Sequence, residues 1–188
     1  MDEKYLWISA IVAILLIMLF FNRKVRLLAL IKEQLLIFKN DKTKKTSIWD
    51  IVCFIGFPLI VALILVFKLN FTIDNDLATL LTTVFAIVFT VLFGFAAIMI
   101  SKINSGNKVE KQVAEETFVS IVSSTILSLI AAVLSIILTH ITTTTVVQTD
   151  FTILIQILSV ITIALSLIII MLILMITKRT FYLYIRYK

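Results

Sequence analysis

Five runs of this chain are apolar for long enough to cross a lipid bilayer, which restricts the fold more than any motif does. They occupy residues 5–21, 48–69, 77–100, 118–139 and 151–176. A transmembrane helix needs about 20 apolar residues, at about 1.5 Å each, to traverse a hydrocarbon core about 30 Å thick. Lipid offers backbone amides no partner, so each segment must satisfy its own, and a helix does so. The expectation is an all-α polytopic transmembrane helix bundle forming a single membrane domain over residues 1–188. The first run has only 17 residues, so a four-span arrangement with that run partly inserted competes with five. No signal-peptide cleavage site of small residues follows it, and it is read as a retained span. Composition agrees: 61% of the residues are hydrophobic, against about 45–50% in soluble domains.

Charge then orients the bundle. Eight of the 17 Lys and Arg residues fall in residues 22–46: Arg23, Lys24, Arg26, Lys32, Lys39, Lys42, Lys44 and Lys45. Short connections this rich in positive charge stay in the cytoplasm. With the N-terminus outside and five spans, the inner segments hold eight, three and four basic residues, and the outer ones only Lys4 and Lys68. The expected location is the plasma (inner) membrane, with the C-terminus cytoplasmic. The net charge of +6 is thereby assigned to loops facing anionic headgroups, and no direct nucleic-acid binding is expected.

The basic segment is itself patterned as an amphipathic helix. At 100° per residue Leu27, Leu28, Leu30, Ile31, Leu35 and Phe38 gather opposite Arg26, Lys32, Glu33 and Lys39. Such a helix lies on the cytoplasmic membrane surface or prolongs the first span. Its basic face suits membrane lipids or a cytoplasmic protein partner, since both require the same pattern.

In the second span Gly56 and Pro58 predict a kink, because proline removes one backbone hydrogen bond. Three later spans carry stripes of small or hydroxyl residues at steps of three and four. The third has Thr79, Thr83, Ala86, Thr90, Gly94, Ala97 and Ser101. The fourth has Ser120, Ser124, Ser128, Ala131, Ser135 and Thr139, and the fifth Thr152, Gln156, Ser159, Thr162 and Ser166. Lipid gives helices no hydrophobic reason to associate, so close backbone approach and interhelical hydrogen bonds must suffice. These stripes therefore read as helix-packing seams. The other reading open at this stage is a hydroxyl-lined path for water or ions.

The chemistry of enzymes and ion-coupled carriers is not visible. Ionisable residues deep in a membrane mark such functions, and Asp50 lies only one turn inside its span, where the helix dipole favours a carboxylate. His140 lies at the outer end of the fourth span without a nucleophile motif beside it, and Cys53 is the single cysteine. Asn70-Phe71-Thr72 matches a glycosylation acceptor on the outer face. No phosphate-binding loop, dinucleotide fingerprint or metalloprotease helix occurs. The chain is expected to be non-enzymatic, with no catalytic residue, metal or cofactor.

In size, span count and basic inner face, the chain resembles the small multi-span membrane components of bacterial anti-phage defence systems. Examples are the KwaA family of Kiwa systems and the membrane accessory proteins of CRISPR loci. The resemblance implies a homo-oligomeric membrane sensor or anchor working with a cytosolic partner, and it transfers no functional residue. The leading expectation is an integral membrane subunit that homo-oligomerises and recruits or regulates a cytoplasmic protein. The alternatives are a channel or membrane-permeabilising effector lined by the Ser/Thr seams, and an immunity or holin-like protein.

Overall fold

A computed structural model describes residues 32–34, 48–105, 108–144 and 152–185. Apart from the helical residues 32–34, it forms four long helical runs, with no strand among the described residues. The run 5–21 and most of the basic segment lie outside the described residues.

The first helix, α1, begins at Ile48–Ile51, passes through a π-helical turn Val52–Gly56, continues as Phe57–Leu63 and ends in a second π-helical turn, Ile64–Lys68. The first π turn has a local cause. Pro58 carries no N–H, and its ring would crowd the carbonyl of Phe54 in a regular α-helix. Widening the preceding turn relieves that contact, and the amide of Phe57 bonds back five residues to Val52 O. Gly56 is not required by sterics, since an added Cβ would meet only the Val52 side chain, at an ordinary 3.5 Å. Pro58, Ala62 and Val66 form the buried edge of α1, four residues apart, and the helix packs on the last helix.

A short link follows in which Asn70 takes a positive φ of 51°, tolerable for asparagine. Asp74 then caps the next helix by accepting a 2.8 Å hydrogen bond from the amide of Leu77. That helix, α2, spans Asn75–Ser105; α3 spans Lys108–Thr144; α4 spans Thr152–Ile185. All four runs are long and apolar enough to cross a membrane. The chain is thus an all-α membrane protein. The helices overrun the apolar stretches, because the residues at 101–105, 108–117 and 177–185 continue the same turns.

α3 lies between α2 and α4, and α4 in turn carries α1. On α2 the buried positions are Ala78, Phe85, Leu92 and Met99, a strict seven-residue spacing. This is the seam expected of two helices crossing at about 20°. Three stacked clusters form the core of the α2–α3–α4 unit. Ala78 meets Ile73 and Leu138 at one end, Phe85 meets Ala131 and Ile169 in the middle, and Leu92 and Met99 meet Ile121 and Ile176 at the other.

Candidate functional site

The serine stripe of α3, with Ser159 and Thr162 of α4, turns inward. Ser120, Ser124, Ser128 and Ser135 are 0% exposed, and Ala131 between them belongs to the middle cluster. Each serine hydroxyl donates to a carbonyl of its own helix: Ser120 to Glu116 O at 3.0 Å, Ser124 to Ser120 O at 2.8 Å, Ser128 to Thr125 O at 2.8 Å and Ser135 to Ala131 O at 2.9 Å. Thr139 does the same to Ser135 O at 3.0 Å. A serine closed on its own helix presents little more bulk than alanine and keeps no donor for a neighbour or for water. The α3 seam is therefore a smooth surface over which α2 and α4 approach.

On α4 the picture is mixed. Ser166, half-buried, donates to Thr162 O at 2.8 Å. Thr162 and Ser159 are fully buried, and the Thr162 hydroxyl has no partner among the described residues. Ser159 accepts a 3.1 Å hydrogen bond from the amide of Ile73, which precedes α2. This ties the link between α1 and α2 to the last helix, across 86 positions of sequence. Gln156 is half-buried near the same end.

The α2 stripe is placed oppositely. Thr79, Thr83, Ala86, Thr90, Gly94, Ala97 and Ser101 are all exposed, about 150° around the helix from the Ala78–Met99 seam at 100° per residue. Thr83 and Thr90 donate to the carbonyls of Thr79 and Ala86, at 3.2 and 2.9 Å. A Cβ added at Gly94 would meet nothing within 4 Å. Nothing within the described residues thus requires these positions to be small. The structure separates stripes that look alike in sequence, burying that of α3 and displaying that of α2.

At the end where α3 begins, Glu116 Oε2 lies 3.4 Å from Arg179 Nη2 of α4, with the side chains 35% and 21% exposed. Gln112 Nε2 donates to Glu116 Oε1 at 3.4 Å, and Lys111 faces Glu115 at 4.0 Å. The Glu116–Arg179 pair joins the start of one helix to the end of its neighbour, a contact that sequence reading did not anticipate. Its signal was topological, since adjacent antiparallel helices place residues just before one span and just after the other at equal depth.

Of the basic residues, Lys32 is exposed within a helical stretch; Arg23, Lys24, Arg26, Lys39, Lys42, Lys44 and Lys45 lie outside the described residues. Cys53 is partly buried with a free thiol, and His140 is exposed. Among the described residues no three His, Cys, Asp or Glu side chains converge as metal ligands would. Comparison with protein-family models, characterised proteins and solved structures gives no match.

Proposed function

We propose that the chain is a non-enzymatic integral membrane subunit that self-associates within the bilayer and recruits or regulates a cytoplasmic protein. In this reading it serves as a membrane sensor or anchor in anti-phage defence. The carrying observation is the outward α2 stripe. Small residues at three-and-four spacing let a second helix backbone come close, and here they lie on a face that the described fold leaves open. The hydroxyls of that face are already bonded to their own helix, so a second copy could cover them without stranding a donor. The α3 serines, sealed and self-bonded, favour packing over a water path through one protomer. The basic segment 22–46 and the basic tail supply the inward face for the partner, with the inner-membrane orientation of N-terminus outside and C-terminus inside.

Two measurements test the reading. Light scattering of detergent-solubilised protein gives an oligomer for the unsubstituted chain and a monomer for Thr90→Phe with Gly94→Phe, two changes on an exposed face. Co-purification from the native host brings down a soluble partner, and neutralising Lys42, Lys44 and Lys45 releases it. A monomeric unsubstituted chain that captures nothing refutes the proposal, and single-channel current from reconstituted protein establishes the channel instead.

A further inference from the structure

On the flank of α2 away from the small-residue stripe, a groove of about 440 Å³ opens between α2 and α4. Its walls include Val88, Leu92 and Phe95 of α2 and Ile173, Ile176 and Phe181 of α4. The two threonines that border it, Thr177 and Thr180, donate to the carbonyls of Ile173 and Ile176 at 2.9 Å each, so the lining stays apolar. Along α2 the groove runs from Ile87 to Phe95, about 12 Å at about 1.5 Å per residue. It occupies the half of the bundle in which α2 and α4 end and α1 begins.

Topology, length and tether select an occupant from the chain itself. The residues before α1 reach the bundle at that same face, because Ile48 starts there. The basic segment 22–46 is too charged to cross lipid, so the run 5–21 must also end at that face. Its residues 11–21 then lie at the depth of the groove, and none of them is polar. At 17 residues the run is short for a bilayer, and a short span gains by packing against other helices. Residues 22–47, 26 in all, tether it to α1. Coiled, a tether of that length reaches about 28 Å on average. The groove lies within two helix spacings of α1, about 20 Å, since α4 both carries α1 and lines the groove. Tethering favours this run over any free helix.

We propose that the run 5–21 docks as a helix in this groove, its last turns lying between α2 and α4. The inference draws on the five-span topology and not on the self-association proposed above, which uses another flank of α2.

Cysteine cross-linking of the full chain in isolated membranes tests this, in a Cys53→Ser background because that thiol is free. Val91, 52% exposed at the groove, becomes cysteine, and a second cysteine replaces each of residues 11–18 in turn. Phe85→Cys with Ala131→Cys, neighbours in the middle core cluster, sets the yield of a true contact. After oxidation with copper phenanthroline, non-reducing electrophoresis separates linkage within one chain from linkage between two, and tryptic peptides identify the pair. Linkage within one chain is expected, at positions three or four apart and absent between them. With Phe95→Cys in place of Val91→Cys, adding Val91→Trp overfills the groove and should cut the yield about tenfold. Thr90→Phe with Gly94→Phe, which tests self-association, should leave the yield unchanged. Linkage at no position, or at every position alike, overturns the proposal, as does a yield that Val91→Trp does not lower. Linkage only between two chains also overturns it, since the occupant is then a second copy.

Discussion

Replacing the α3 serines tests most directly whether that seam is a packing surface. Ser124, Ser128 and Ser135 are 0% exposed, and each donates to a carbonyl three or four residues back on its own helix. Those carbonyls keep an acceptor role in the helix ladder when the hydroxyl is removed. Changing serine to alanine deletes one small atom and one secondary bond. Polar side-chain bonds within membranes average about 0.6 kcal/mol, and a bond that reaches no neighbouring helix should contribute less. Each alanine variant should therefore stay within about 0.6 kcal/mol of the parent, and all three together within about 2 kcal/mol. Leucine acts in the opposite direction. It adds a net two heavy atoms and a branch at a point where two helices approach a third, and overpacking costs about 1–3 kcal/mol per site. The assay is reversible unfolding of the detergent-solubilised protein in a titration of sodium dodecyl sulfate, followed by far-ultraviolet circular dichroism. An alanine substitution costing more than about 2 kcal/mol would show that the hydroxyl bonds something beyond its own helix. Tolerance of leucine at all three positions would refute the packing argument outright.

Three further outcomes are expected. Ser159→Ala leaves the buried amide of Ile73 unpaired and should cost about 1–3 kcal/mol, with faster amide hydrogen exchange confined to the link before α2; unchanged exchange there would count against that tie. Glu116→Gln and Arg179→Gln should each destabilise by about 1 kcal/mol, discounted for partial exposure. The double variant should fall short of the sum in a double-mutant cycle, and full additivity would deny the pair an energetic role. Pro58→Ala restores an amide to α1 and should convert the π turn Val52–Gly56 to regular helix, visible as new slow-exchanging amides at residues 54–58; persistence of the π turn would assign it another cause.

Membership of the all-α membrane class was legible in the chain because lipid leaves few alternatives: long apolar stretches must be helices, and four of the described ones are. The helix ends were only partly legible: α2 runs past its apolar edge to Ser105, and α3 begins at Lys108, ahead of its own. Which face of each helix goes inward was not. The serines of α3 and the threonines of α2 share spacing and chemistry, yet the former are sealed and the latter displayed.

The reason is that lipid is as apolar as a helix surface, so hydrophobic patterning loses its power to tell inside from outside. That choice falls to shape. Ala78, Phe85, Leu92 and Met99 supply a seven-residue ridge that enters the three core clusters with α3 and α4. The Ile73–Ser159 tie, the Glu116–Arg179 pair and the groove between α2 and α4 depend on which helices become neighbours. Local sequence determined the rods and their charged ends, and only their packing determined the surfaces they display.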